Sequence, residues 1–263
     1  MTKLSVNLNK IALLRISRDT TIPSVTAAAE TCIAAGAQGI TVHPRPDMRH
    51  IRPADVYDLA SLLTQPKYAD IEFNIEGNPF AGPEANGFPG FMTLVRDTMP
   101  QQCTLVPDDP VQLTSDHGWH LSGDNTALKA IIDQLKALGI RVSLFMDPDA
   151  AQIEQAAALG TDRIEFYTGP YADQYGDHES VLATFIEAGK IAQQLGLGIN
   201  AGHDLNQDNL GEFCQRVTNV AEVSIGHALI NDALCDGLAT TVRRYNAILE
   251  KSGYFTYYSP HSN

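Results

Sequence analysis

The residues best placed to do chemistry sit where short β-rich runs of the sequence stop. Asn7 follows LSV, His43 follows GITV and Glu76 closes IEFNIE. Further along, Pro107 closes CTLVP, Asp147 follows RVSLFM, Thr168-Gly169 follows RIEFY, His203 follows GINAG and Gly226-His227 follows EVSI. One histidine at a strand end is as readily structural as functional. Three of them together with a carboxylate favour acid–base work, because imidazole titrates near neutral pH.

These positions need elements to bring them together. Eight β-rich runs are read at 4–8, 39–43, 71–76, 103–107, 141–146, 163–168, 198–202 and 222–226. Helix-like segments separate most of them. NTALKAIIDQLKALG (125–139) carries apolar residues at 128, 131, 132, 135 and 138, the helical period. Helical patterns at 25–37, 149–160 and 179–196 each end at or near a glycine. Alternating strands and helices imply a parallel sheet, and eight such units in 263 residues imply the α/β class, a (βα)8 TIM barrel with extra helices. An open doubly wound sheet is the alternative, but no GxGxxG turn follows the first strand. Residues 1–263 read as one barrel domain, with the aromatic tail SGYFTYYSPHSN (252–263) outside the pattern as a flexible tail or a subunit contact.

The strands carry polar residues at one parity. Ser5, Asn7 and Asn9 alternate with Val6 and Leu8; Glu72, Asn74 and Glu76 alternate with Ile71, Phe73 and Ile75. With the apolar parity facing the helices, the polar parity faces the barrel axis. Burying amides and carboxylates merely to fill a core is costly, so a functional site is expected at the carboxyl ends of the strands. Two long connections interrupt the scheme. Residues 77–91, rich in Gly and Pro, read as a surface insertion, and the polar loop 108–124 reads as a lid.

Charge narrows the partners. With 18 Lys+Arg against 31 Asp+Glu the net charge is −13, which argues against nucleic acid or an anionic membrane surface. The cations are nevertheless concentrated early: residues 1–54 hold a net +4, from Lys3, Lys10, Arg15, Arg18, Arg45, Arg49 and Arg52 against three acids. Lys10, Arg15 and Arg18 follow the first strand, and Arg45, Arg49, His50 and Arg52 follow the second, where they suit phosphate groups. A helix starting at once after Gly226-His227 would offer a further anion site. The start MTKLSVNLNK has no apolar leader core and no apolar run reaches the roughly 20 residues of a membrane span. Cys32, Cys103, Cys214 and Cys235 show no CxxC spacing and read as free thiols of a cytoplasmic protein.

The motifs VNLNKIALLR (6–15), GAQGITVHPRPDMRHI (36–51), FNIE (73–76), TLVPD (104–108), VSLFMDPD (142–149), IEFYTGPYAD (164–173), LGINAGHDL (197–205) and SIGHALI (224–230) recur in order. In them the chain resembles the pyridoxine 5′-phosphate synthase family of vitamin B6 biosynthesis over nearly its whole length. The resemblance implies a barrel, self-association as a homo-octamer, two phosphorylated small-molecule substrates, and no metal or organic cofactor. It implies His43 and Glu76 as general bases and His203 as proton donor. It puts Asn7, Asn9, Lys10, Arg18, Arg45, His50, Thr114, Asp204, Gly226 and His227 on substrate-binding positions. The chain departs from the family pattern at Asn9-Lys10, where many members carry Asp-His, and at Asp204, where Gly is common. Two rival readings remain open at this level. One is a metal-dependent barrel hydrolase using His43, Glu76, Asp147 and His203, and the other is a barrel that binds a sugar phosphate without catalysis.

Overall fold

The computed structural model describes residues 1–257. Eight parallel strands close into a barrel in sequence order: β1 (Lys3–Asn7), β2 (Gly39–Val42), β3 (Glu72–Gly77), β4 (Gln102–Leu105), β5 (Arg141–Met146), β6 (Arg163–Phe166), β7 (Gly198–Ala201) and β8 (Val220–Ile225). The first and last strands complete the ring, with Lys3 opposite Glu222 and Val6 opposite Ile225. Eleven described helices surround it: α1 (Asn9–Ile16), α2 (Val25–Ala34), α3 (Pro53–Leu63), α4 (Phe91–Thr98), α5 (Thr126–Ala137), α6 (Ala150–Ala158), α7 (Gly169–Asp173), α8 (Glu179–Gln194), α9 (Leu210–Arg216), α10 (His227–Asp236) and α11 (Leu238–Tyr257). Residues 252–257 of the aromatic tail are the end of α11, and 258–263 lie outside the described residues. Among the described residues no helix is long and apolar enough to cross a membrane.

Local chemistry explains several helix starts. Ser24 accepts from the Ala27 amide to cap α2, and Asp149 accepts from the Gln152 amide to cap α6. Pro53 opens α3, where Asp55 accepts from the Arg52 amide. The strand reading of Asn9 is corrected: the chain turns at Leu8, and Asn9 is the first residue of α1.

The two strand faces separate two kinds of interior. Leu4, Val6, Ile40, Val42, Ile75, Leu105, Val142, Leu144, Ile164, Phe166, Ile199 and Val223 are fully buried against the helices. Burying an aliphatic or Phe side chain of this kind contributes about 1.5–3 kcal/mol. Opposite-parity side chains cross the axis. At its floor Arg141 donates to Glu72 (2.7 Å), and Arg163 donates to Gln102 (3.2 Å) and Asn200 (3.0 Å). One layer higher Ser5 and Thr41 share a hydrogen bond (2.7 Å), and Thr104 Oγ1 lies 3.2 Å from Asn74 Oδ1 and 3.4 Å from Glu165 Oε2. Several of these pairs join strands that are not neighbours in the sheet, which only inward-pointing residues can do.

The 77–91 segment is more than a surface insertion. Phe88 and Phe91 are buried, Pro83 and Pro89 form an antiparallel bridge, and Phe80 packs edge-on to Trp119. Asn86 donates to the Pro46 carbonyl and Asn78 to the Asp108 carbonyl, so the segment ties together the loops after β2 and β4. Turn composition marked it as irregular, but its aromatic residues anchor it. All four cysteines are free; Cys32, Cys103 and Cys214 are buried and Cys235 is exposed.

One close approach sets the end of β7. A Cβ on Gly202 would stand 1.9 Å from the Ser224 carbonyl oxygen, which lets β7 and β8 meet only with glycine at that position. Gly202→Ala is expected to cost about 2–3 kcal/mol or more through overpacking and to lower the unfolding temperature by about 5 °C. Thermal unfolding of the variant checks this.

Candidate active site

The carboxyl ends of the strands enclose a cavity of about 510 Å³. Of the thirteen residues singled out from the sequence, twelve line it: Asn7, Asn9, Lys10, His43, Arg45, His50, Glu76, Thr114, His203, Asp204, Gly226 and His227. Arg18 does not. It lies exposed in the turn after α1, outside this cavity. The early cations therefore divide. Lys10, Arg45, Arg49 and His50 face the cavity, whereas Arg15 is buried against Asp55 and the His50 carbonyl and Arg52 pairs with Asp19 at the surface.

Glu76 rises from β3 at the centre. Asn7 Nδ2 donates to it at 3.3 Å and Ser224 Oγ at 3.4 Å, while Asn74 Nδ2 lies 3.5 Å away. These contacts are long, so the carboxylate is surrounded without being saturated. Below it, Glu165 is held well above the ordinary carboxylate range by burial, reinforced by the charges of Glu76 and Glu222. Glu222 is pushed up to about 8, by burial first and then by Glu72, against the pull of Arg163. Both shifts disfavour a second negative charge directly beneath Glu76.

His43 stands between two carboxylates. Its Nδ1 is 3.7 Å from Glu76 Oε2, and its Nε2 is 2.8 Å from Asp108 Oδ2. Burial alone would lower the imidazole pKa, but Asp108 and Glu76 together raise it above the ordinary histidine value. Asp108 also lies 3.1 Å from Arg45 Nη2. Burial pushes its carboxyl up, and His43 and Arg45 more than reverse that, to about 2. Asn9, at the start of α1, accepts from the His43 amide (2.9 Å), and its own amide donates to Asn7 (3.0 Å). The tops of β1 and β2 are thus joined by side chains.

The sequence alone does not single out Asp108, although it closes the TLVPD motif. It follows the strand end and opens the 108–124 loop, so its partner depends on where that loop turns. His50 differs from His43 in kind. Its Nδ1 accepts from the Ile51 amide (2.9 Å), and burial, with His43, Arg45, Lys10 and Arg49 nearby, lowers it to about 3. At neutral pH it is an uncharged ring whose Nε2 carries the proton.

The 108–124 loop lies across the mouth. Arg49 donates to the carbonyls of Gln112 (2.7 Å), Leu113 (3.3 Å) and Pro110 (2.9 Å), and Arg45 reaches Ser115 Oγ (3.4 Å). Thr114 Oγ1 reaches His203 Nε2 (3.1 Å). The far end is seated where Trp119 pairs with the Phe145 and Leu105 carbonyls. Gly118 packs so close to Met146 and Asp147 that a Cβ would stand 2.3 Å from the Asp147 amide nitrogen. Asp147 accepts from the Gly118 amide (3.2 Å) and does not line the cavity. The four ligands of the metal-hydrolase reading are thus not brought together. Across the mouth, α10 begins at His227 directly after β8, with Gly226, His227 and Ala228 at the cavity wall. The first-turn amides of such a helix have no intrahelical acceptors.

The sequence profile of the family described as pyridoxal phosphate biosynthesis protein PdxJ matches residues 4–251. The chain belongs to this family. It is 58% identical over 253 residues to a pyridoxine 5′-phosphate synthase of Xanthomonas oryzae pv. oryzae, covering 95% of this chain and 98% of that one. It is 54% identical over 251 residues to a pyridoxine 5′-phosphate synthase of Xylella fastidiosa, covering 95% of each chain. Among solved structures, the fold is similar to a chain of the Amycolatopsis orientalis BexX/CysO complex, with a TM-score of 0.63 at 15% identity over 100% of this chain and 94% of that one. It is also similar to phosphoribosyl anthranilate isomerase of Thermotoga maritima, with a TM-score of 0.58 at 11% identity over 95% of this chain and 100% of that one. Those two likenesses concern the barrel alone.

Two outcomes follow for the side chains that hold the loop and His43. Arg49→Ala is expected to free the 108–124 loop, so limited proteolysis there should speed up several-fold without a change in unfolding temperature. Asp108→Asn removes a carboxylate whose folded pKa lies below its unfolded value near 3.9. That group stabilises the fold above about pH 4, and its contribution of about 2 kcal/mol is lost as pH falls toward 2. The stability gap between wild type and Asp108→Asn, measured by urea unfolding, should narrow over that window.

Proposed function

We propose that the chain condenses 3-amino-2-oxopropyl phosphate with 1-deoxy-D-xylulose 5-phosphate to give pyridoxine 5′-phosphate, inorganic phosphate and water. The observation that carries this reading is the convergence of Glu76, His43 and His203 in one cavity, with cationic groups and a helix N-terminus on its rim. The family of the chain and the printed names of its relatives support it.

The reaction joins an amine to a ketone and then closes a ring by an aldol-type condensation. Protons move at carbon, nitrogen and oxygen, and water and phosphate leave. Glu76 takes the proton from the carbon beside the imine. His43 works at the hydroxyl groups; with Nε2 turned to Asp108, it exchanges protons through Nδ1, the nitrogen on the Glu76 side. His203 protonates the departing oxygen. Proton transfers from positioned groups contribute about 10²–10⁴-fold each, and one carboxylate and two imidazoles in different settings supply acid and base at one pH.

Phosphate anchoring turns a bimolecular condensation into an oriented one. Lys10, Arg45 and the neutral His50 form one anion site, with His50 donating from Nε2. The amides of Gly226 and His227 at α10 form the other. Asn7 and Asn9 align the groups around Glu76 and His43, Thr114 closes with the lid, and Asp204 borders the acid. The lid excludes water from the imine. This reading needs no metal or organic cofactor. It takes residues 1–263 as one barrel domain, acting in the cytoplasm as a homo-octamer, and it leaves Arg18 to a role outside the cavity of a single chain.

With both substrates supplied, the purified protein is expected to release pyridoxine 5′-phosphate and inorganic phosphate in equal amounts. Glu76→Gln should reduce kcat by about 10²–10⁴-fold while KM for each substrate stays within about threefold of wild type. Unchanged turnover in that variant would remove Glu76 from the chemistry.

A further inference from the structure

Asp204 holds a backbone conformation that its residue type does not favour. Its φ is 61°, in the left-handed region where a side chain is strained and glycine is at ease. What the carboxylate does from there is specific. Its Oδ2 lies 2.9 Å from His203 Nδ1. That nitrogen is buried and has no aligned hydrogen-bond acceptor, so the carboxylate acts on it by charge at short range. The other ring nitrogen, Nε2, is the one 3.1 Å from Thr114 Oγ1. Both His203 and Asp204 line the cavity.

The neighbours favour an ionised Asp204. Its contact with His203 holds the carboxyl below the ordinary range against the opposing effect of burial, and His227 from α10 and Lys10 from α1 add to this. Tyr167 stands edge-on to the His203 ring at 5.1 Å, with Asp173, Asp116 and Asp147 acting on it from α7, the lid and the end of β5. The His203 backbone is fixed separately, by Thr168 Oγ1 donating to its carbonyl (2.6 Å). Asn209 donates to the Asp204 carbonyl (3.4 Å), a bond that any residue at 204 would keep.

We propose that Asp204 is a positioning residue for His203: its carboxylate keeps a proton on Nδ1, so that the proton delivered to the departing oxygen leaves from Nε2. The inference rests on the reading of His203 as the acid. In the charged ring both nitrogens carry protons. The Nε2–H bond breaks and an O–H bond forms on the leaving group. The electron pair stays on Nε2, and the Nδ1–H remains facing Asp204. Without the carboxylate the ring has no charge to select which proton it keeps, and the acid no longer faces the cavity in every molecule.

The test uses full-length Asp204→Gly and Asp204→Asn. Glycine relieves the strained φ, so Asp204→Gly is expected to unfold at an equal or higher temperature while kcat falls about 10- to 100-fold, part of the roughly 10²–10⁴-fold that a positioned acid contributes. KM for both substrates should stay within about twofold. Histidine ring ¹⁵N spectra should place the proton of neutral His203 on Nδ1 in wild type and distribute it over both nitrogens in each variant. A wild-type kcat in Asp204→Gly, or unchanged ring spectra, would overturn the proposal. Should wild type itself form no product, the functional reading fails, and the ring spectra still decide whether Asp204 selects the proton position.

Discussion

Everything in this molecule depends on how a closed parallel barrel disposes of the residues it turns inward. Alternation sends one parity of every strand to the axis, and here that parity carries Glu72, Glu76, Glu165 and Glu222 with amides and hydroxyls between them. Burying several carboxylates together is unfavourable unless each is paired or loses its charge. The barrel does both, in layers. Arg141 and Arg163 neutralise the floor. Above them burial, with Glu76 and Glu222 nearby, disfavours the charged form of Glu165. At the top, where Glu76 meets the cavity, the carboxylate is held by long, unsaturating contacts. The cavity opens at one end of that axis, and there Glu76 meets Asn7 and Ser224.

The histidines show how far environment outweighs identity. His43 and His50 leave the same β2 loop, yet two carboxylates raise one above the ordinary range and burial among cations lowers the other to about 3. One is suited to exchanging protons, and the other to donating a fixed hydrogen bond. No feature of the segment HPRPDMRH separates them in sequence. The difference comes from Asp108, which arrives from another strand 65 positions further along the chain than His43.

That contrast marks what the sequence could convey. Strand runs, helical periods and the polar parity are local patterns, and local patterns are sufficient for a repeating βα architecture. Strand-end residues then fall together automatically, which is why Asn7, His43, Glu76 and His203 are legible in the sequence itself. What escaped was set by loop paths. Asn9 reads as the next strand residue but starts a helix because the chain turns at Leu8. Arg15 and Arg45 look equivalent as cations, but Asp55 claims the first and the cavity takes the second. The 77–91 segment reads as surplus by composition, and only Phe88 and Phe91 in place reveal it as a packed brace between the loops after β2 and β4.

Glu76 has a further implication for how the protein comes into being. Its carboxylate, on the third strand, is met by Asn7 from the first strand and Ser224 from the eighth. The ring is sealed by the pairing of those outer two. Without the pairing of β1 with β8, the contacts of Asn7 and Ser224 to Glu76 are not brought together. A molecule that occupies the pocket therefore discriminates between sealed and unsealed forms and shifts the balance between them by mass action. A ligand of the pocket thus stabilises the barrel as a whole, beyond the residues it touches.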